Sequence, residues 1–177
     1  KYHIANEDQL KTFIPDLRSM EKNIKYPLED GTESFFIDHG KDYSPFFTQQ
    51  GYKTRFLIIT NKDKVAGSIA GVWKRISFNE KTYNALYASD LKLKPKYRNK
   101  GIVKKFLWYL FIRWPFIKEF QGWDFIYFCA MQRENKGVES TFKGVHLGKL
   151  TKPNCLLNIY ILEPHEFNSI DLDELLY

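Results

Sequence analysis

Cysteine is scarce in this chain: Cys129 and Cys155 are its only thiols among 177 residues. Two thiols build neither a disulfide framework nor a zinc quartet, and no spacing of His, Cys and acids suggests a bound metal. Cys129 stands in an apolar run and reads as a buried thiol rather than a nucleophile. Long hydrophobic runs are missing too. The longest, near residues 106–112, falls far short of the roughly 20 residues that cross a bilayer, so no membrane span is expected. No signal peptide is legible, and a cytoplasmic setting is the expectation. Internal repeats, low-complexity tracts and linkers are absent, which points to one domain over residues 1–177.

Aromatic residues and positive charge are what the chain has in quantity. Fifteen Phe, 11 Tyr and 4 Trp make up 17% of it, enough for a core or cleft with flat walls. The net charge of +6 favours an anionic partner, and phosphorylated cofactors, acidic peptides, nucleic acid and anionic membrane all fit.

Along the chain, residues 2–4 suit a short strand, and Asn6 reads as the N-cap of a helix with Glu7 and Asp8 in its first turn. Leu10, Phe13, Ile14 and Leu17 continue at helical spacing, and Pro15 kinks or splits that helix. Residues 23–50 are irregular, punctuated by Pro27, Gly31, Gly40 and Pro45, as befits a mobile flank or the wall of a site. "TRFLIIT" (54–60) and the run from Val65 form a hairpin across a four-residue polar turn. "YNALYASDLKLK" (83–94) alternates as a third strand, a helix runs from about Gly101 to Arg113, and "DFIYFCAM" (124–131) suits a central strand covered on both faces. A short helix over 135–142 and a strand in "CLLNIYIL" close the order β-α-irregular-β-β-β-α-β-α-β. The predicted fold is α/β in the broad sense, a mixed sheet flanked by helices.

The junction "LKLKPKYRNKGIVKKF" (91–106) is the most informative stretch. A helix start leaves N–H groups unpaired and carries partial positive charge, and glycine there lets a ligand approach the backbone. Together these suit phosphate or pyrophosphate, and Arg98, Lys100, Lys104 and Lys105 add charge around Gly101. Neither the nucleotide P-loop nor the dinucleotide fingerprint is present.

Leu91, Leu93, Pro95, Tyr97, Arg98 and Gly101, in that register, resemble the central motif of the GNAT superfamily of acyl-CoA-dependent N-acyltransferases. The strand-helix opening, the hairpin and "FIYFCAMQRENKG" follow in family order, with Asn135 matching the asparagine that begins the family's next helix. The resemblance implies a mostly antiparallel mixed sheet, splayed between two strands, that binds acetyl-CoA or coenzyme A. It implies that the backbone of Arg98, Asn99, Lys100, Gly101, Ile102, Val103 and Lys104 holds the pyrophosphate. The strand edge at Leu91, Lys92 and Leu93 would pair with the pantetheine arm, and Asn135 would lie near that arm. Two positions depart from the pattern. Val103 replaces a Gly or Ala, and its branched Cβ is expected to shift or weaken the cofactor pose. Phe142 stands near where the family often has a tyrosine that protonates the leaving thiolate.

Acyl transfer to an amine requires a base, N–H donors for the oxyanion and a departing thiolate. Asp90 is the candidate base, although strict alternation turns it away from the face of Leu91 and Leu93 unless a bulge re-aims it. Tyr87 has the parity of those leucines but the intrinsic pKa of a phenol. His39 and Asp38 lie in the irregular segment where the family builds its acceptor site, among Phe35, Phe36, Tyr43, Phe46 and Phe47. The expected partner is a small-molecule or peptide amine. A non-catalytic CoA-thioester-binding module is the alternative, and a nucleic-acid binder fits less well because RNA-binding motifs are absent.

Overall fold

A computed structural model describes residues 1–27, 34–129 and 152 of the chain. The chain divides into two units, and every element below belongs to the first, Lys1–Leu147. The expected helix over 135–142, the strand in "CLLNIYIL", and the positions of Asn135, Phe142 and Cys155 lie outside the described residues.

The opening follows its capping chemistry. Strand β1 (Tyr2–Ala5) leads to α1 (Glu7–Leu10), where the Asn6 side chain accepts from the Gln9 N–H and the Gln9 side chain accepts from the Asn6 N–H. The helical pattern then breaks, and α2 (Ile14–Glu21) starts afresh with Pro15 in its first turn, where a missing N–H costs nothing. Pro15 therefore splits the helix. The irregular segment carries a two-stranded ladder, β2 (Tyr26–Pro27) with β3 (Ser34–Phe35), and a single helical turn, α3 (Pro45–Thr48).

Strands β4 (Lys53–Asn61), β5 (Lys64–Phe78) and β6 (Lys81–Leu93) form a continuous antiparallel meander. The first hairpin closes more tightly than the expected four-residue turn, and the second is equally tight. Asn61 pairs with Lys64 across Lys62 and Asp63 (φ 47° and 58°), and Phe78 pairs with Lys81 across Asn79 and Glu80 (φ 48° and 61°). Two positive φ values per loop are the signature of a two-residue turn that matches strand twist. Helix α4 (Ile102–Arg113) follows β6, and β7 (Phe125–Tyr127) pairs with β6 in parallel, giving the order β1-β4-β5-β6-β7.

Two apolar layers sandwich this sheet. Leu10, Leu17, Met20, Phe47, Phe56, Ile58 and Val72 pack under α1, α2 and α3, whereas Leu57, Ile59, Trp73, Leu86 and Phe106 pack under α4. The last strand differs from its expectation as a long, fully covered one. It ends at Tyr127, Phe125 and Ile126 are 39% and 50% exposed, and Cys129, read as buried, lies past the strand and is exposed.

Candidate functional site

Two features converge on the C-terminal half of β6. The first is a parting of the sheet. The parallel ladder runs from Ala85–Phe125 to Tyr87–Tyr127 and stops, while β6 continues to Leu93 paired only with β5 among the described residues. The edge of β6 at Leu91, Lys92 and Leu93 is thus left facing away from β5 without a ladder partner from β7. Tyr87 and Tyr127 stack where the strands separate, with centroids 4.9 Å apart at 22°. Burial first, and then the neighbouring Cys129 and Tyr127, pushes the Tyr87 phenol up to about 12. A phenol in that state keeps its proton and serves as a hydrogen-bond donor.

The turn that follows is open. A 3-10 turn, Pro95–Tyr97, folds the chain back after β6; within it the Arg98 N–H is donated to Pro95 O and the Arg98 Nε to Leu93 O, at 3.0 Å each. Of the expected amide cradle, Arg98 is therefore committed to its own turn, and the donors that continue past it run from Asn99 to Lys104. Asn99 and Gly101 both take left-handed backbone angles (φ 59° and 68°), and Gly101 caps α4. A Cβ placed on Gly101 would meet no atom within 4 Å, so the turn has room for a ligand. The N–H groups of the first turn of α4 have no partner inside the helix, and Lys100, Lys104 and Lys105 are exposed around them. Ile102 packs into the apolar layer beneath α4 and Val103 is half-buried beside it. These donors, this room and these charges fit a pyrophosphate.

The second feature is a bulge. Ala70 pairs with Ser89 and Ser68 with Lys92, so Asp90 and Leu91 together oppose Ile69. Asp90 sits at the kink with φ 55°. The extra residue resets the alternation: Tyr87 packs on the α1–α3 side before the bulge, and Asp90 and Lys92 turn to that same side after it. The inserted residue is what the sequence did not reveal, and it aims Asp90 at a buried ionic cage.

Lys92 is the centre of that cage. Its side chain is 1% exposed, and its Nζ lies 2.7 Å from Asp90 Oδ1, in contact with Glu21 Oε1, and 3.4 Å from His39 Nδ1. Tyr43 donates its hydroxyl to Asp90 Oδ2 at 2.7 Å. Glu21 reaches in from the end of α2 and holds His39 twice, through the ring Nδ1 and, at 3.4 Å, through the backbone N–H. Burial alone would raise the Glu21 carboxyl; hydrogen bonds from His39 and Lys92, with their charges, outweigh it and keep it below its ordinary value. Burial and the Asp90 charge push the Tyr43 phenol far up. The donor atoms of Glu21, His39 and Asp90 lie within 4.8 Å of one another, but the fixed Lys92 ammonium between them repels a metal ion. Near this cage the hydroxyl of Ser89 is buried without a partner among the described residues.

The solved structures decide the architecture. A transcriptional regulator from Bacillus halodurans matches at TM-score 0.58, covering 92% of this chain and 100% of that one at 8% identity. An aminoglycoside acetyltransferase from an uncultured soil metagenomic sample, bound to sisomicin, matches at 0.54 (92% and 96%, 16% identity). An aminoglycoside N-acetyltransferase in complex with CoA matches at 0.53 (92% and 99%, 15% identity). The fold is that of the GNAT acetyltransferases. At these identities the likeness is one of GNAT fold alone, and a regulator shares it with two enzymes. Among curated proteins, one from Amsacta moorei entomopoxvirus, named as a candidate glycylpeptide N-tetradecanoyltransferase, is 31% identical over 88 residues. That match covers 44% of this chain and 29% of the viral protein's length. No protein-family model matches the chain.

Proposed function

We propose that the chain is an acyl-CoA-dependent N-acyltransferase, moving an acyl group from the thioester of coenzyme A to an amine. The observation that carries this reading is β6, which outruns its parallel partner and leads directly into an open, left-handed Gly101 at the mouth of α4. In this reading the N–H groups of Asn99, Lys100, Gly101, Ile102, Val103 and Lys104 bind the pyrophosphate, with the basic side chains adding attraction. The free edge at Leu91–Leu93 hydrogen-bonds the pantetheine arm as an added strand would. Asn135 would attend the same arm.

Acetyl-CoA is the first donor to test, since two of the fold neighbours are named for acetyl transfer. The viral relative's name makes tetradecanoyl-CoA the second. The acceptor class is a small-molecule or peptide amine, as those same names suggest. Thioester chemistry asks the chain to orient two substrates, supply N–H donors where the carbonyl becomes an oxyanion, and take up one proton.

A second reading, a non-catalytic acyl-CoA-binding module, is favoured by one observation: both oxygens of Asp90 are occupied, by Lys92 and by Tyr43. Thermal denaturation with each acyl-CoA and thiol release with a panel of amines separate the readings. Both require a ligand-dependent rise in Tm. Only the transferase releases thiol faster with amine than without, and no rise in Tm would remove both readings.

A further inference from the structure

His39 is the one member of the cage with a nitrogen that neither Glu21 nor Lys92 engages. Its ring is 3% exposed and clamped by Glu21, through Oε1 at Nδ1 and Oε2 at the backbone N–H. Glu21 is ionised, so Nδ1 carries the shared proton and the lone pair falls on Nε2. Three aromatic rings fix the plane: Phe47 stacks at 4.8 Å, Phe46 meets the ring edge-on at 4.7 Å, and Tyr43 lies at 5.0 Å. A carboxylate that sets the tautomer of an imidazole and prevents its rotation is the arrangement by which a histidine base is held.

Among the described residues, the charged and titratable groups facing this ring are Glu21 on α2, Asp90 and Lys92 on β6, and Tyr43 before α3. Of these described groups two carboxylates oppose one ammonium, which leaves one unbalanced negative charge while the ring is neutral. A proton on Nε2 removes that imbalance without moving any other group. Asp90 has no such vacancy, since Lys92 and Tyr43 take both its oxygens. Lys92 Nζ lies 3.4 Å from His39 Nδ1, and both turn their protons to the shared Glu21 Oε1, so the ammonium makes no hydrogen bond to the ring.

We propose that His39 Nε2, oriented by Glu21, is the general base that takes the proton from the acceptor amine. The inference rests on the transferase reading above. The amine N–H bond breaks as Nε2 gains the proton; the nitrogen bonds to the thioester carbon; the C–S bond breaks, and its electron pair leaves on sulfur. The thiolate then takes up one proton, and loss of the Nε2 proton restores the ring, so protons balance over the cycle.

The test uses the whole chain. His39→Gln lowers kcat by about 10²–10⁴-fold, leaves KM for the acyl-CoA unchanged, and removes the acid limb of the pH–rate profile. Glu21→Gln shifts that limb rather than removing it. A readout independent of turnover is the imidazole proton–nitrogen spectrum. It shows His39 with its proton on Nδ1 and Nε2 bare over the active pH range, and the Nδ1–H signal moves in Glu21→Gln. An Nε2 that stays protonated throughout overturns the proposal even where variants fold poorly. So does a His39→Gln enzyme that keeps its acid limb while Asp90→Asn loses it. Wild-type protein that binds acyl-CoA but releases no thiol with any amine removes the transferase reading itself, a result distinct from either.

Discussion

The two sides of one strand solve opposite problems. On the α1–α3 side of β6, past its bulge, every charge has an internal partner: Lys92 with Glu21 and Asp90, Asp90 with Tyr43, Glu21 with His39. At its exit, the turn into α4 leaves amide donors and three lysines in the open, around a glycine with empty space beside it. A buried, negatively charged network cannot bind a second anion, but it can fix geometry. An unsatisfied helix entrance fixes little, but it can bind. The difference separates positioning from capture along a few residues of one chain segment.

The dry side gives the largest expected effect. Lys92→Met leaves two buried carboxylates facing one another and should lower stability by about 3–5 kcal/mol. Chemical denaturation reads this directly, and the charge-matched pair Lys92→Met/Glu21→Gln should recover part of the loss. A single variant as stable as the wild type would mean that the cage is hydrated and the contrast is wrong. On the open side, Gly101→Asp should weaken acyl-CoA at least about tenfold, by placing a carboxylate where phosphate belongs. The left-handed backbone adds a modest folding cost relative to glycine that Asp and Asn share. Gly101→Asn, which tolerates that backbone, separates the two effects when Tm is followed with and without acyl-CoA.

Acid sharpens the same comparison. Glu21 lies below its ordinary value in the folded chain, so it contributes stability that is fully present above the unfolded glutamate pKa. That stability is lost as pH falls through the lower folded value. Denaturation midpoints should therefore drop across that acidic window, and Glu21→Gln should flatten the drop. The smallest change concerns Val103: replacement by Ala removes the branched Cβ beside the cradle and should tighten acyl-CoA by a few-fold at most, measured by titration calorimetry.

The open side was legible in the sequence, whereas of the dry side only separate candidates, Asp90 and His39, were legible and not the cage that joins them. Gly101 at a helix mouth, the basic residues around it and the Pro95 break each act locally, so a one-dimensional pattern carries them. The Asn6 cap and the meander through β4, β5 and β6 were readable for the same reason. Lys92 shows where that reasoning ends. In "LKLK" it looks like a solvent-facing lysine, yet helix α2 and the segment before α3 cover that face and leave it 1% exposed. Its partners come from residues 21, 39 and 90, and no periodicity links them. The bulge at Asp90 is equally silent, because an inserted residue alters facing without altering composition. Glu21 offered one faint signal, an acid closing the amphipathic helix after Leu17 and Met20 on its buried side.

Backbone amide spectroscopy of the whole chain, titrated with coenzyme A, reaches the central claim most directly. The N–H resonances of Asn99 to Lys104 should move first and farthest, while those of Glu21 and His39 stay nearly fixed. Saturable binding that leaves the amides at the mouth of α4 unmoved would contradict it.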